Sequence, residues 1–149
     1  MSTEWTITFD CHDPVALAAF WKLALGYVDA PPPKGFDSWD SWFDACEVPV
    51  EERDDGASLV DPDGARPSIS FLKVPEAKAA KNRMHLDVQV GGGRAGDGAE
   101  HWDQRWGRIS ATVETLVNAG ATVEQEYAIG DRPDHVVMQD PEGNEFCVV

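Results

Sequence analysis

The chain has 149 residues, of which 42% are hydrophobic, and it carries a formal net charge of −15. This length is sufficient for one ordinary folded domain, and the apolar share exceeds that of an intrinsically disordered chain. A strongly acidic surface repels nucleic acid and anionic membranes, whereas it attracts cations. The composition therefore predicts a globular protein that acts on neither nucleic acid nor a membrane.

The N-terminal segment and the cysteines indicate the compartment. The longest apolar run, residues 15–25, is interrupted by Lys22 and is too short to span a bilayer. No basic region followed by an apolar stretch opens the chain, so no signal peptide is predicted. Three widely spaced cysteines (Cys11, Cys46 and Cys147) are an odd number and indicate reduced thiols. Together these features predict a cytoplasmic protein.

An internal repeat organises the chain. Residues 61–64, Asp-Pro-Asp-Gly, recur as Asp-Pro-Glu-Gly at residues 140–143, an offset of 79 positions. The same offset maps a predicted strand at residues 5–10 onto one at residues 84–89, and both alternate apolar and polar residues. A helix is predicted after each strand. The first begins at Asp13-Pro14 and ends at Gly26, and the second ends at Gly120.

The later strands complete two similar halves, with insertions near residues 31–43 and 91–105. Further strands are predicted near Tyr27 and at residues 47–51, 57–60, 68–74, 122–127, 135–139 and 145–149. Each Asp-Pro-(Asp/Glu)-Gly turn predicts an antiparallel pair between the last two strands of its half. The prediction is one α+β domain over residues 1–149, with module 1 at about 4–75 and module 2 at about 82–149. We expect the two βαβββ modules to form one curved mixed sheet around a central cavity.

This duplicated unit, closing with Asp-Pro-Glu-Gly-Asn at residues 140–144, resembles the vicinal oxygen chelate superfamily of glyoxalases, bleomycin-resistance proteins and dioxygenases. Residues 13–27 and 74–87 more narrowly resemble the glyoxalase-like domain group. The resemblance implies metal-ligand positions at Thr6, His85, Cys147 and one of Ser68, Ser70 or Leu72. Only His85 is a usual ligand, with Cys147 as a chemically acceptable substitute. We therefore expect no tightly bound catalytic metal and no other cofactor; if a metal binds, its ligands are His85 and Cys147.

His85 is the candidate catalytic residue. Strand alternation places it on the same face as Asp87, and an imidazole in a pocket could transfer protons near neutral pH. The alternative is a histidine that only hydrogen-bonds within the sheet. Cys147 is expected beside His85, either as a nucleophile or soft metal ligand, or as a small apolar filler.

Aromatic and basic residues supply further candidates for binding a substrate. The tryptophans in or beside the insertions are predicted to form a lid, to stack on a flat or cationic ligand, or to pack against a second copy of the chain. His135 alternates with Val137 and Gln139 and is expected to reach the pocket. The basic segment at residues 78–83 either binds an anionic group or anchors the connection between the halves. The residues expected to contact substrate are His85, Cys147, Thr6, Asp87, His135, Trp39, Trp42, Trp102 and Trp106.

Two functions remain open from the sequence. The first is a glyoxalase-like protein that binds or sequesters a small organic or cationic ligand without the usual metal. The second is a glyoxalase-like lyase or isomerase that uses His85 as an acid–base group or metal ligand. The expected partner is a small molecule, and homodimerisation is left open.

Overall fold

The computed structural model describes residues 2–92 and 99–149 and divides the chain into two compact units, Met1–Ala77 and Lys78–Val149. Part of the insertion predicted at residues 91–105 lies outside the described residues. In the described part of the chain, no helix is long and apolar enough to cross a membrane.

The first unit has the predicted order of strand, helix and three strands. Its elements are β1 (Ile7–Cys11), α1 (Pro14–Leu25), β2 (Val28–Asp29), α2 (Trp39–Ala45), β3 (Gly56–Val60) and β4 (Ile69–Lys73). The four strands form a mixed sheet in the order β1-β4-β3-β2. β1 is parallel to β4, and β3 is antiparallel to both β4 and β2.

The second unit repeats this plan. Its elements are β5 (Asp87–Val88), α3 (Ala99–Asn118), β6 (Thr122–Ile129), β7 (Arg132–Gln139) and β8 (Glu145–Val148). Its sheet has the order β5-β8-β7-β6, again with the first and last strands parallel. The predicted α+β class and the two βαβββ modules are therefore confirmed.

Helix α1 begins and ends as its sequence predicts. The Asp13 carboxylate accepts a hydrogen bond from the Ala16 N–H at 3.0 Å, and Pro14 occupies the first helical position. Gly26 ends the helix with a φ of 68°, a left-handed conformation that costs glycine little.

The two Asp-Pro-(Asp/Glu)-Gly turns have the same internal bonding. Asp61 accepts hydrogen bonds from the N–H groups of Asp63 and Ala65, and Asp140 accepts them from Glu142 and Asn144. Burial by itself would raise the pKa of Asp61, but the backbone hydrogen bonds and Arg66 outweigh it and lower that pKa. Both aspartates are buried turn residues, as their place in the motif indicates.

One face of each sheet is covered by the helix of its unit. In the first unit, Phe9 stacks on Phe71 and contacts Trp21 of α1. In the second, the buried residues Val136, Met138, Phe146 and Val148 alternate along β7 and β8, while Ile109 and Leu116 of α3 are equally buried. Burying these apolar side chains is the main favourable term in folding each unit.

Three local predictions are wrong. The strand predicted at residues 47–51 is absent: α2 ends at Ala45, Glu47 has a φ of 56°, and residues 50–52 form a 3₁₀ turn. Trp102 and Trp106 belong to α3, since apolar residues at a spacing of three and four extend this helix toward its N-terminus. Strand β5 covers two residues where residues 84–89 were predicted.

Candidate functional site

Three potential metal-binding side chains meet on the sheet of the second unit. One ligand atom from each of His85, Asp87 and Cys147 lies within 4.8 Å of the other two. His85 Nε2 is 3.4 Å from Asp87 Oδ1, and both of these side chains are about half exposed. The structure therefore brings together the predicted candidates His85, Asp87 and Cys147.

The strand register explains this grouping. Asp87 of β5 is directly paired with Cys147 of parallel strand β8, so the two side chains leave the sheet on the same face. His85 lies two positions before Asp87 and continues that face. In the first unit, the corresponding pair is Thr8 with Ser70. The structure thus selects Ser70 as the counterpart of Cys147 from the three alternatives left open by the sequence.

Cys147 is held as a neutral thiol. Partial burial and then the charge and hydrogen bond of Asp87 raise the pKa of Cys147, while Lys81 lowers it by a smaller amount. The thiol donates its proton toward the Asp87 carboxylate. Because the thiolate is the reactive form, this environment opposes the predicted alternative of a nucleophilic Cys147.

A cavity of about 760 Å³ lies in the first unit, within the usual range for small-molecule sites. Its wall combines α1, α2, β3 and β4. The residues that line it include Ala19, Lys22, Asp29, Trp39, Trp42, Phe43, Glu52, Arg53, Ser58, Ser70 and Phe71.

The aromatic side of this cavity is a packed group and not a set of loose loop residues. The rings of Trp39 and Trp42 meet edge to face with their centroids 5.6 Å apart, and the ring centroids of Phe43 and Trp42 are 5.3 Å apart. The Trp39 indole N–H donates to the Ala30 carbonyl at 2.9 Å. Ser38 caps helix α2 and begins a capping box with Ser41. A short helix therefore presents rings in a defined orientation to the cavity.

The two cationic side chains at the cavity, Lys22 and Arg53, are paired with carboxylates. Lys22 forms a 2.7 Å ion pair with Asp29, and Arg53 pairs with Asp44 while its guanidinium lies over the Phe43 ring. On the polar side, Ser58 and Ser70 place their hydroxyls 3.3 Å apart. The cavity therefore offers aromatic surface and hydroxyls, with its cations already compensated.

The comparisons with known proteins agree with this architecture. The family described as Glyoxalase-like domain matches residues 6–149. The chain belongs to the glyoxalase-like domain family. This places it in the vicinal oxygen chelate superfamily, as the sequence motifs indicated. No curated protein sequence matches the chain significantly.

Solved structures share the fold of this glyoxalase-like chain at low sequence identity. A glyoxalase/bleomycin resistance protein/dioxygenase family enzyme from Burkholderia phytofirmans PsJN is 17% identical, with a TM-score of 0.56 over 96% of this chain and 94% of that one. A glyoxalase-related enzyme from Fulvimarina pelagi is 15% identical, with a TM-score of 0.56 over 99% and 87%. A variant of the fosfomycin resistance protein FosX from Listeria monocytogenes, solved with Mn(II) and 1S,2S-dihydroxypropylphosphonic acid, is 11% identical, with a TM-score of 0.59 over 99% and 89%. At these identities the likeness shows the fold alone.

The donor set of the glyoxalase-like chain fits some metals better than others. Mn(II), present in the FosX structure, is a hard cation that prefers carboxylate, carbonyl and water oxygens. The cluster in this chain supplies one carboxylate, one imidazole and one thiol. These donors suit Zn²⁺ and similar borderline cations, which accept nitrogen and sulfur ligands.

The remaining predicted site residues lie elsewhere within their units. Thr6 lies before β1 and lines a separate 410 Å³ cavity with residues 2–5 and 64–68. The guanidinium groups of Arg105 and Arg132 lie 5.5 and 5.6 Å from the ring centroid of Trp102 on α3. Trp106 is half-buried on the same helix. These contacts give Trp102 a packing role within its own unit.

His135 belongs to a charged network that the sequence did not reveal. Its Nδ1 lies 2.8 Å from Asp134 Oδ2, and its ring stacks on Tyr127 at 4.9 Å. Asp134 also faces Arg105, whose guanidinium donates to the Asp134 carbonyl. Arg105 and Asp134 are each 2% exposed. A buried arginine in the helix therefore organises the strand that carries His135.

The basic segment before β5 anchors the last strand. Lys78 forms an ion pair with the buried Glu145 at 3.1 Å, and the Asn82 N–H donates to the same carboxylate at 2.9 Å. The Asn82 hydrogen bond and Lys78 lower the pKa of Glu145 to about 2. Lys78 and Asn82 therefore have an anchoring role, while Lys81 and Arg83 are exposed.

Glu145→Gln should lower the free energy of unfolding by about 1–3 kcal/mol at pH 7, because buried charged hydrogen bonds are lost. The pKa of Glu145 is depressed in the folded protein, so its contribution is complete above about pH 4.5 and is lost as the pH falls toward 2. Urea denaturation at several pH values should show the wild type and the variant converging in acid. Glu124→Gln, an exposed change on β6, is the control. If the difference in the free energy of unfolding between wild type and Glu145→Gln stayed constant down to pH 2, the charge of Glu145 would not be the source of the stabilisation.

Proposed function

We propose that this glyoxalase-like protein binds a small organic molecule in the cavity of its first unit. The observation that carries the proposal is a volume of about 760 Å³ bordered by an ordered aromatic group. Sites for small molecules are typically apolar and aromatic with a few fixed polar groups. Trp39 and Trp42 supply the aromatic surface, and the hydroxyls of Ser58 and Ser70 supply the polar groups.

The charges favour a neutral or cationic ligand with a flat apolar part. Lys22 and Arg53 already have carboxylate partners, so an anionic ligand would have to compete with Asp29 and Asp44. The net charge of −15 also opposes the approach of an anion. Rings of tryptophan bind flat and cationic groups through stacking and the negative potential of their faces.

Ala19→Trp tests the cavity directly. Ala19 is exposed on α1 and lines the cavity, whereas Ala16, also exposed on α1, does not line it. A library of neutral and cationic aromatic compounds should contain members that raise the Tm of the wild type and of Ala16→Trp. With Ala19→Trp, the same compounds should give no shift, because the new side chain fills the site.

The ligand-induced Tm shifts of Ala19→Trp and Ala16→Trp decide whether the cavity is the binding site. Compounds that stabilise Ala19→Trp as much as the wild type would place their binding outside the cavity and refute the proposal. A library without any stabilising compound would also count against a binding function. Quenching of tryptophan fluorescence by a bound compound should disappear in a Trp42→Phe variant if Trp42 is the contact.

A second candidate function is acid–base catalysis by His85, favoured by the Asp87 carboxylate 3.4 Å from its Nε2. A carboxylate within reach of an imidazole can orient the ring for proton transfer. For any compound that the protein converts, His85→Ala should retain binding and lose turnover. Unchanged turnover in that variant would exclude His85 as the catalytic group.

A further inference from the structure

The aromatic wall of the cavity consists of the rings that α2 supplies, Trp39, Trp42 and Phe43. We propose that Arg53 positions this aromatic wall and thereby sets the affinity of the cavity for its ligand. The proposal rests on the proposed binding function, because it concerns the same cavity. Its basis is that a single guanidinium group contacts α2 and the segment after it at four places.

Beyond the capping box at its start, helix α2 has little support of its own. It has seven residues, and a helix this short is unstable in isolation. None of its residues is buried, so the hydrophobic core does not hold it in place. Asp40 and Asp44 lie one turn apart on the same face, and like charges at this spacing destabilise a helix. Contacts with other segments must therefore hold α2 against the cavity.

Arg53 supplies such contacts from outside the helix. Its guanidinium nitrogens lie 2.5 Å from Asp44 Oδ1 and 3.5 Å from Asp40 Oδ1, so one group compensates both carboxylates. The same guanidinium lies over the Phe43 ring, 5.5 Å from its centroid, and its Nε–H donates to the Val48 carbonyl at 3.3 Å. Arginine suits this position because its planar fork can pair with carboxylates and stack on a ring simultaneously.

The place of Arg53 in the chain links α2 to the sheet. Strand β3 begins at Gly56, shortly after Arg53, and the segment between them is fixed to β4. The Lys73 side chain of β4 forms a 2.8 Å ion pair with Asp55, and the Lys73 backbone N–H donates to the Asp55 carbonyl at 2.9 Å. An isolated exposed ion pair contributes little, but several contacts on one side chain form a network. The indole hydrogen bond of Trp39 holds the start of α2, and Arg53 holds the rest.

Rings that are already positioned bind a ligand more tightly than mobile ones, because fewer side chains lose conformational freedom on binding. Loss of Arg53 should therefore weaken ligand binding. It should leave the fold of the first unit intact, because no residue of α2 belongs to the buried core. These two expectations separate a positioning role from a purely structural one.

The full-length protein without ligand gives the first test. The ring centroids of Trp39 and Trp42 are 5.6 Å apart, a distance at which two indoles give an exciton band in circular dichroism; Trp42→Phe identifies this band. Arg53→Met should remove most of the band and increase the quenching of tryptophan fluorescence by acrylamide. Arg53→Lys, which keeps the charge but lacks the planar fork, should retain part of the band. Lys73→Met removes a different ion pair of the same unit, away from the cavity, and should retain the band in full.

The neutral and cationic aromatic compounds that raise the wild-type Tm give the second test. Their Kd should rise at least about tenfold in Arg53→Met, because the rings must then be ordered on binding, and should be unchanged in Lys73→Met. Asp40→Ala combined with Asp44→Ala should have the same effects. These side chains are 84% and 71% exposed, so this variant keeps the test valid if Arg53→Met is unstable. Alanine also favours the helix, so a lost band in this variant reports lost positioning of the rings.

Three results would overturn the proposal. They are an exciton band that Arg53→Met leaves unchanged, a band lost to the same extent in Lys73→Met, and a lost band with an unchanged Kd for every compound. A library without any compound that binds the wild type would refute the proposed function instead. In that case the exciton band would still show whether Arg53 positions the aromatic wall, so the two proposals can fail separately.

Discussion

Asp134→Ala should lower the free energy of unfolding by about 3–5 kcal/mol, because it leaves the buried Arg105 guanidinium without its carboxylate. Both side chains are almost completely buried, so water cannot replace the lost interaction. The change also removes the carboxylate that contacts His135 Nδ1. Urea denaturation at pH 7, followed by far-ultraviolet circular dichroism, measures the effect.

A double variant distinguishes an unpaired charge from simple loss of packing. Arg105→Met combined with Asp134→Ala removes both charges and should be more stable than Asp134→Ala alone. Glu126→Ala, which removes an exposed carboxylate from β6, should change stability by less than about 0.5 kcal/mol. If the double variant were less stable than Asp134→Ala, the unpaired charge of Arg105 would not explain the effect of removing Asp134.

Phe71→Ala should cost about 3–5 kcal/mol of stability, because Phe71 belongs to both the core and the cavity wall. Its ring stacks on Phe9 at 5.5 Å and is 1% exposed. Removing it would leave a void beside the cavity that the surrounding sheet and helix cannot close.

The neighbouring residue is a matched control. Leu72 also lines the cavity, but it is 50% exposed and its side chain points to the opposite face of β4. Leu72→Ala should therefore cost less than about 1 kcal/mol in the same denaturation experiment. Equal losses for the two variants would mean that Phe71 is not part of a packed core.

Local patterns predicted much of the architecture. Alternation along the strands, the Asp13-Pro14 start of α1 and the paired Asp-Pro-(Asp/Glu)-Gly turns each act over a few residues, so they are readable without the fold. The repeat then implied that both halves share a topology. The prediction failed at residues 47–51 although Val48 and Val50 occupy alternate positions, because Pro49 has no N–H to donate to a neighbouring strand and instead precedes a 3₁₀ turn.

Contacts between residues that are far apart in the sequence of a unit could not be predicted from local patterns. Nothing near Arg105 in the sequence indicates that its charge is buried against Asp134, 29 positions later. The cavity likewise depends on how α2 lies beside α1 and β3, and its hydroxyls, Ser58 and Ser70, look like ordinary strand residues.

The sequence by itself determined the βαβββ repeat, the helix and turn boundaries that follow from capping and turn chemistry, and the grouping of His85 with Asp87 by strand alternation. Only the tertiary structure decided that Cys147 lies opposite Asp87, that Ser70 is its counterpart, and that a cavity with an aromatic wall lies in the first unit. The physical reason is that strand register and helix packing are set by the burial of many side chains at once, and no short stretch of the chain contains that information.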